Sequence, residues 1–282
     1  MEDRKGFTEE EIDILSPMEK IAVTAVKNDD GTVHPSLLTS LMPIAPDRLA
    51  IGEFVRGRSK DLFPFSREVA FAFLSLQGFR TWRGRARWTG KRKDGPELDA
   101  YKRMPMHRYN AYFPVHTVHY FDLEELRGPE SFGFAGVGLG SLASAFAAGA
   151  VGTASRDRIL KPYGEGICKA PIGLRFLAWI DADGRPDIVP VHTCRAADGE
   201  RLILTGGRYG DILSTIPEGT DVSVFLAKLT LENIVVGGRF GGFRRFRGVR
   251  AATVDIERVY NSMPPNADSI YPPEPLKAVE TF

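Results

Sequence analysis

A long internal repeat is the feature of this sequence that most constrains its fold. Asp30-Gly31 recurs as Asp183-Gly184, 153 positions later, and each pair lies between two apolar segments. An Asp-Gly pair between apolar runs predicts a β-hairpin whose tight turn needs a positive φ. Two such hairpins at this spacing predict two similar β-domains in one chain.

Further segments match at nearly the same offset: 48–52 with 201–206, 69–74 with 222–227, and 120–124 with 253–257. For the last pair the offset falls to 133, which predicts an insertion in the first copy between about Thr89 and Pro114. An offset kept across several strand segments indicates that the chain is a tandem duplication.

Each copy is predicted to contain three strands joined by turns, a short helix and then three more strands. The alternating apolar positions Val69, Phe71 and Phe73 indicate half-buried strands. Short strands at close, turn-punctuated spacing predict a mainly β fold, with a barrel or a sandwich in each copy and a few helices.

The repeat sets the predicted domain boundaries. The first repeat covers 1–128, with an N-terminal helix and the insertion at about 89–114, and the second covers 171–282 with a proline-rich tail. Thr8 and Glu11 form a capping-box pattern at the start of that helix, and Pro17 ends it.

A linker rich in glycine and alanine is predicted over 129–170. Within it, Ser131 to Gly152 carries no charge, and half of this stretch is Gly or Ala. Because it has few Leu, Ile and Val residues, its composition favours a linker packed on the protein over a membrane span. Gly136 to Gly140 lacks a preceding buried strand, and Ser141 replaces the third glycine of a dinucleotide-binding loop, so no such loop is predicted.

Composition narrows the function classes. The 282 residues are 43% hydrophobic and 26% charged, with 37 Lys and Arg against 36 Asp and Glu. This near-neutral charge provides no global field for nucleic acid or an anionic membrane, so we expect neither partner. Cys168 and Cys194 lack metal-ligand spacing, and together with the charged N-terminus they predict a cytoplasmic protein without a metal.

The order of these segments resembles a known family. An apolar strand, Asp-Asp-Gly, a second strand, Asp-Arg-Leu-Ala-Ile-Gly and then Gly57-Arg58-Ser59-Lys60 resemble the pyridoxamine 5′-phosphate oxidase-like FMN-binding split barrels. In that family two barrels pack side by side and FMN lies in the cleft between them. The resemblance covers most of both copies, and it implies two tandem split β-barrels that form a pseudo-dimer with FMN as cofactor.

The resemblance also implies the cofactor-binding residues. A flavin phosphate needs convergent cationic, hydroxyl and amide donors, and Arg58, Ser59 and Lys60 provide them at a strand-to-helix junction. The transferred flavin contacts are Ser36, Leu37, Thr39, Ser40, Ile51, Gly52, Ser59 and Lys60, with Trp82 and Arg83 as weaker transfers. Replacing Lys60 with Ala is then expected to weaken FMN binding about ten-fold or more. The alternative is that Arg58 and Lys60 form a solvated helix start.

The second copy departs from the family pattern. Leu213-Ser214 stands where the first copy has Ser59-Lys60, so the phosphate cation is missing, although Arg208 and Tyr209 lie a few residues earlier. We therefore expect one competent flavin site, with the second copy contributing the other wall of the cleft.

The segment at the C-terminal end of the insertion supplies candidate catalytic groups. Tyr109, His116 and His119 are candidate proton donors, with structural packing as the alternative. His116 and His119 would lie on opposite faces of a strand, and no carboxylate or thiol completes a ligand set, which disfavours a metal. For the Arg-Phe hairpin at 237–248, a solvated hairpin, contact with an anionic ligand and nucleic-acid binding all stay open.

The resemblance implies a flavin-dependent oxidoreductase that acts on a small molecule, with NAD(P)H or another electron donor as a candidate partner. The alternative is a non-catalytic flavin, haem or deazaflavin binding protein of the same fold. A nucleic-acid-binding β-barrel is disfavoured by the neutral charge. Both a monomer with pseudo-dimeric repeats and a homodimer are compatible with the sequence.

Overall fold

The structure is a computed structural model that describes residues 4–17, 19–54, 57–104, 114–151, 158–230, 232–262 and 268–273. Its helices are α1 (Glu9–Leu15), α2 (Arg58–Ser66), α3 (Pro96–Arg103), α4 (Phe134–Val151), α5 (Pro162–Cys168) and α6 (Gly210–Ser214), with a 3₁₀ turn at Gly207–Tyr209. The first seven strands are β1 (Lys20–Lys27), β2 (Val33–Leu37), β3 (Met42–Ala45), β4 (Arg48–Glu53), β5 (Glu68–Ser75), β6 (Arg80–Arg92) and β7 (Thr117–Ser131). The others are β8 (Gly173–Ile180), β9 (Pro186–Pro190), β10 (Arg195–Ala196), β11 (Arg201–Leu204), β12 (Asp221–Lys228), β13 (Asn233–Phe246), β14 (Val249–Asn261) and β15 (Asp268–Tyr271).

The strands form two antiparallel sheets with the same strand order. The first sheet runs β2-β1-β5-β6-β7-β4-β3, and the second runs β9-β8-β12-β13-β14-β11-β10, with β15 added beside β14. Each strand of the first sheet thus has a counterpart at the same place in the second. The predicted fold class, mainly β with a few helices, is confirmed.

The two predicted hairpins are present with the expected turn geometry. Gly31 and Gly184 have φ values of 83° and 78°, which a residue with a Cβ rarely adopts. The amide of Gly31 donates to the Asn28 carbonyl at 3.1 Å, and that of Gly184 donates to the Asp181 carbonyl at 3.0 Å. The hairpin turns are therefore equivalent at the offset of the sequence repeat.

A buried hydroxyl holds the same two segments together in each sheet. The Ser40 hydroxyl donates to the Gly52 carbonyl at 2.8 Å, and the Thr193 hydroxyl donates to the Thr205 carbonyl at 2.8 Å. Each bond ties the turn after the second strand to the end of the fourth strand. The spatial match between the sheets therefore continues beyond the hairpins.

The element order differs from the prediction in one feature. The structure adds a short strand in each sheet, β3 and β10, where the sequence analysis expected only a turn. The insertion separates β6 from β7 by residues 93–116 and contains α3, whereas Arg247 and Gly248 alone join β13 to β14. Both of those turn residues have positive φ, as a two-residue hairpin of this kind requires.

Each sheet encloses a core of its own, and a third apolar cluster lies between the sheets. The first core includes Phe63, Phe71, Trp82 and Phe121, and the second includes Leu177, Val224, Phe240 and Val254. The inter-sheet cluster consists of Val23, Ala25, Val33, Ala70, Ala72 and Leu74 from the first sheet with Leu174, Phe176, Ala178, Ile188, Phe225, Ala227 and Val235 from the second.

The inter-sheet cluster corrects one expectation. The alternation at Val69, Phe71 and Phe73 predicted a half-buried strand, but β5 is buried on both faces from Val69 to Ser75. One face packs into the first core and the other packs against the second sheet. The residues between the alternating positions, Ala70 and Ala72, are small and apolar because they lie in this contact.

Arginines exchanged between the repeats reinforce this contact. The Arg85 guanidinium of the first repeat lies 2.7 Å from Asp181 and 3.0 Å from Asp187 of the second. In return, Arg185 of the second repeat lies 2.5 Å from Glu124 and 3.0 Å from Glu125 of the first. Each repeat therefore places a guanidinium among carboxylates of the other.

The N-terminal helix is capped as predicted. The Thr8 hydroxyl accepts from the Glu11 amide, and the Glu11 carboxylate accepts from the Thr8 amide. The same carboxylate accepts from Arg4 at 2.7 Å and from the Trp82 indole at 2.9 Å. Glu11 thereby fastens α1 to the first core, and the helix ends at Leu15, two residues before Pro17.

The stretch predicted as a linker is largely helical where the structure describes it. It begins with the last residues of β7 and contains α4 and α5. Within the described ranges, α4 is the one helix that is long and apolar enough to cross a membrane by length and composition. It packs against the second sheet through Ser144, Ala147 and Val151.

We predict that Arg85→Ala lowers the free energy of unfolding by about 3 kcal/mol, because two carboxylates lose a largely buried partner. The Arg85 side chain is 11% exposed. Arg87, two residues along the same strand, is the matched control, since its side chain is 49% exposed and also pairs with carboxylates. Arg87→Ala is expected to cost less than about 1 kcal/mol.

Urea unfolding of the two variants measures this difference. Equal, small losses for both would show that the exchanged arginines do not hold the repeats together.

Candidate functional site

A cleft between the repeats contains a cavity of about 290 Å³, called here the cleft cavity. The second repeat contributes the loop Pro190–Thr193 after β9 and the segment Thr205–Tyr209 after β11. The first repeat contributes Thr81 and Ser131–Gly133, and α4 contributes Gly136 and Val137. The cavity is thus built from both repeats and the helix that joins them.

The lining of the cleft cavity combines an apolar slot with a few polar groups. The apolar side chains are Phe132, Val137, Pro190 and Val191, and the polar ones include Thr81, Ser131, Thr193, Thr205 and Arg208. A mostly apolar cavity with a small number of hydroxyls and one cation is typical of a site for a planar, partly anionic small molecule.

A buried polar cluster of Arg83, Glu130 and Tyr209 adjoins the cavity. The Tyr209 hydroxyl donates to Glu130 at 2.5 Å, while the Arg83 Nε lies 3.9 Å from the other oxygen of that carboxylate. The Arg83 guanidinium also lies 5.2 Å from the centroid of the Tyr209 ring. Burial, and then the Glu130 charge, raise the pKa of Tyr209, so its phenol is a neutral donor.

Arg83 has donors to spare in this cluster. Its Nε and Nη1 are buried and have no hydrogen-bond partner within the described part of the chain. Arg83 lies two residues after Thr81 on β6, and therefore on the same face of that strand as a residue that lines the cavity. A buried guanidinium with unused donors favours an anionic or carbonyl-rich ligand nearby.

His192 forms an aromatic part of the cavity wall. Its ring centroid lies 4.7 Å from that of Phe132. Burial, and then the charge of Arg175, lower the pKa of His192 to about 4, so the ring is neutral at physiological pH. Its Nδ1 is buried without a hydrogen-bond partner among the residues that the structure describes.

A second cavity, of about 280 Å³, also lies between the repeats. Its lining includes His34 and Arg58 from the first repeat and Arg258 and Tyr260 from the second. Arg58 donates to Asn28 at 3.2 Å, and burial followed by the charge of Arg58 lowers the pKa of His34 to about 3. The second cavity therefore brings cations from both repeats together beside a neutral histidine.

The structure distributes the predicted cofactor residues over several environments. Ser40 and Ile51 are buried, and the Tyr101 hydroxyl donates to the Ser40 carbonyl at 2.7 Å. A Cβ placed on Gly52 would lie 3.1 Å from the Tyr101 ring. Helix α3 of the insertion supplies Tyr101, so it covers this end of the first barrel.

The remaining residues predicted on the second strand lie near the contact between the sheets. Ser36 is buried on β2, and the half-buried Leu37 packs against the inter-sheet cluster. Thr39 is half-buried in the turn that follows. None of these three lines either of the two cavities described here.

The predicted phosphate segment forms the first turn of α2, and its side chains lie in different environments. Arg58 lines the second cavity, whereas Ser59 and Lys60 are buried. The Lys60 ammonium lies 5.4 Å from the centroid of the Phe54 ring. Burial lowers the pKa of Lys60 to about 8, with Glu53 opposing the shift. Phosphate binding at Ser59 and Lys60 stays a prediction.

Trp82 and Arg83 have separate roles in the structure. Trp82 is fully buried in the first core and donates to Glu11, so it holds the N-terminal helix. Arg83, its neighbour on β6, belongs to the cluster with Tyr209 beside the cleft cavity. Arg83 does not line the cavity itself, but it is the transferred flavin contact that touches one of its lining residues, Tyr209.

The candidate catalytic residues also separate. His119 is buried between Trp88, whose indole donates to Nδ1 at 3.2 Å, and Glu53, which lies 3.0 Å from Nε2. Because an indole can only donate, Nε2 carries the proton that bonds Glu53. His116 is exposed on the preceding turn, as expected for opposite faces, and Tyr109 lies outside the described residues.

Sequence reasoning missed the partners that meet across the repeats. The sequence analysis noted that Arg208 and Tyr209 lie near the second-copy position where the phosphate cation is missing. It did not predict that Tyr209 pairs with Glu130 at the end of β7. The signal available was the match between Ser40 and Thr193, which places the cleft cavity at the second-copy counterpart of the predicted first-copy site.

Metal ligation and thiol chemistry receive no support from the side chains. The described residues contain no group of three or more His, Cys, Asp or Glu placed to hold a metal. Cys168 and Cys194 are buried and unpaired with each other. Burial raises the pKa of both thiols, that of Cys194 to about 12, so neither is a reactive thiolate.

Comparisons with known proteins were made at three levels. No protein-family model matches the chain, and no curated protein does. Among solved structures, a putative pyridoxamine 5′-phosphate oxidase from Lactobacillus delbrueckii is similar at 18% identity, over 45% of this chain and 100% of that one, with a TM-score of 0.35. An FMN-binding protein from Syntrophomonas wolfei is similar at 10% identity, over 42% and 83%, with a TM-score of 0.35.

An F420 reductase is similar at 13% identity, over 43% of this chain and 98% of that one, with a TM-score of 0.34. Each of the three thus matches less than half of this chain. The fold described above rests on the strand order of the two sheets.

The buried histidines predict a pH dependence of stability. The pKa values of about 3 for His34 and about 4 for His192 lie below the ordinary 6.5. Between these values and pH 6.5 the unfolded chain binds more protons, so stability falls as the pH is lowered through that window. His192→Gln is expected to reduce this slope by up to about 1.4 kcal/mol per pH unit.

Urea unfolding at several pH values across the window measures the slope. His116→Gln is the control, because its ring is exposed. An unchanged slope in His192→Gln would mean that His192 takes up its proton in the folded protein.

Proposed function

We propose that the chain is a duplicated FMN-binding split-barrel protein, an FMN-dependent oxidoreductase that acts on a small molecule, with its cofactor in the cleft between the repeats. The observation that carries this proposal is the identical strand order of two sheets that pack on each other, with a cavity at their junction. This is the paired arrangement that the sequence resemblance implied.

The packing supports a single-chain version of a dimer. The inter-sheet cluster draws equivalent strands, β1 and β5 against β8 and β12, from the two repeats. The ion pairs of Arg85 and Arg185 are reciprocal too, because each arginine pairs with carboxylates of the other repeat. A chain that supplies both halves of this contact can build the cleft as a monomer.

The cleft cavity is the position that we assign to the cofactor. Arg208, at the glycine turn Gly206–Gly207, would hold the phosphate, and the apolar walls around Phe132 and Val137 would take the ring system. When bound, a flavin supplies hydride or electron transfer. The chain binds and orients it, and the Arg83–Glu130–Tyr209 cluster places a neutral phenol and a guanidinium beside it.

This assignment differs from the site predicted in the first copy. Ser59 and Lys60 are buried, and the predicted strand residues Ser40, Ile51 and Gly52 pack inside the first barrel. The cleft cavity, by contrast, offers an exit to solvent with a cation and hydroxyls on its wall. The first-copy position becomes the rival in the test below.

A turnover measurement distinguishes an enzyme from a protein that only carries the same cofactor. If the FMN-loaded chain oxidises NAD(P)H or another donor under multiple-turnover conditions, it is an oxidoreductase. If it binds flavin, haem or deazaflavin without turnover, the non-catalytic alternative holds.

We predict that Arg208→Ala weakens FMN binding about ten-fold, because the variant removes a charge-assisted contact to the phosphate. Lys60→Ala is the matched comparison, since it removes one cation from the rival first-copy site. Quenching of free FMN fluorescence on titration with each protein measures the dissociation constants.

The outcomes separate the two positions. Loss in Arg208→Ala with near-wild-type binding in Lys60→Ala supports the cleft cavity. The reverse pattern returns the cofactor to the first copy and overturns this assignment. A wild-type chain that does not bind FMN removes the flavin function altogether.

A further inference from the structure

Helix α4 has two apolar faces of different character. One stripe consists of small residues and contacts the second repeat: Gly140, Ser144, Ala147 and Val151. The Thr205 amide donates to the Ser144 hydroxyl at 3.2 Å, and the Thr205 hydroxyl donates to the Gly140 carbonyl at 3.3 Å. This spacing of three and four residues lies along one side of the helix, so α4 is fixed to the barrel through that side.

The other side of α4 presents large apolar side chains to solvent. Leu139 and Leu142 are 70% and 71% exposed, and Phe134 and Phe146 are also exposed. Their spacing places Leu139, Leu142 and Phe146 on one face. No charged residue occurs in α4, which is about 27 Å long at the usual rise per residue.

The apolar face continues beyond the N-terminal end of α4. The rings of Phe79 and Phe132 lie 4.8 Å and 4.7 Å from that of Phe134. Phe79 and its neighbour Leu76, in the turn between β5 and β6, are both exposed. The exposed side chains of Leu76, Phe79, Phe134, Leu139, Leu142 and Phe146 are together called here the apolar strip.

A basic hairpin lies at the other end of α4. Arg244, Arg245, Arg247 and Arg250, at the β13–β14 turn, are exposed. Arg247 donates to the Gly149 carbonyl at 3.1 Å and lies 5.4 Å from the centroid of the Phe146 ring. The basic tip therefore touches the apolar strip directly.

Three of these arginines have no carboxylate partner within the described part of the chain. Arg244 pairs with Glu218. Arg245 donates to the Gly248 carbonyl, Arg247 to carbonyls of α4, and Arg250 to the Ser214 hydroxyl. Across the ranges that the structure describes, no carboxylate forms an ion pair with Arg245, Arg247 or Arg250.

We propose that the apolar strip and the basic tip together form a site that binds the surface of an anionic lipid bilayer, with α4 lying in the plane of the headgroups. A helix with exposed Phe and Leu next to arginines matches the two layers of such a surface, acyl chains below and phosphates above. The small-residue stripe keeps α4 on the barrel, so the contact is peripheral.

Other occupants match only half of this surface. A symmetric contact with a second copy would bury the apolar strip of both chains and leave the arginines of the basic tip without an anionic partner. A nucleic acid would pair with the arginines and leave the apolar strip in water. The sequence analysis predicted that this stretch packs on the protein. One face of α4 does so, whereas its outer face is exposed. The proposal is independent of the flavin proposal.

Co-sedimentation of the full chain with vesicles tests the proposal. We expect binding to mixed phosphatidylcholine–phosphatidylglycerol vesicles, little binding to phosphatidylcholine alone, and release at high salt. Leu139→Glu with Leu142→Glu is expected to reduce the bound fraction about ten-fold, and Arg245→Ala with Arg250→Ala to reduce it by a similar factor.

The control carries the same chemical change at equal exposure elsewhere. Ile172 and Leu229 are 70% and 64% exposed and lie outside α4, in segments between other helices and strands. Ile172→Glu with Leu229→Glu is expected to leave vesicle binding unchanged. Equal loss in the control and the α4 variant would overturn the site.

Three further results would also overturn the proposal. The first is a wild-type chain that does not sediment with the mixed vesicles. The second is a wild-type chain that does not bind vesicles but forms a dimer, which Leu139→Glu with Leu142→Glu dissociates. Light scattering after size exclusion measures the dimer. The third is binding to a single-stranded oligonucleotide in place of vesicles.

Discussion

The contact between the two sheets is the constraint on which the rest of the structure depends. Strands β1, β5, β8 and β12 are apolar on both faces, so neither sheet could expose its outer face to water without a large apolar surface. The chain solves this by placing one repeat against the other. The reciprocal arginines, Arg85 and Arg185, then fix how the two sheets meet, since each must reach carboxylates of the opposite repeat.

The two clefts created by this contact are unequal, although the sheets are equivalent. The connection from the first repeat to the second runs through α4, which closes over the cleft cavity and contributes Gly136 and Val137 to its wall. The insertion acts on the opposite end of the first barrel, where Tyr101 fills the space beside Gly52. The two sheets thus share one strand order, while the two cavities between them have different linings.

Local and repeated features were predictable from the sequence, whereas contacts between distant residues were not. The Asp-Gly turns, the capping box at Thr8 and the insertion follow from short-range chemistry or from the offset of the repeat. The burial of Lys60 depends on Phe54 and Glu53, and the cluster of Arg83, Glu130 and Tyr209 unites three distant segments. No pattern within one segment encodes these contacts between distant residues, so the sequence alone did not predict them.

The central claim is that one chain provides both halves of a flavin-binding cleft. Native mass spectrometry of the purified chain after incubation with FMN tests it most directly, because it reports assembly and stoichiometry together. The account predicts a single 31.2 kDa chain that carries one FMN. A chain that retains no flavin, or that carries it only as a dimer, would contradict the account.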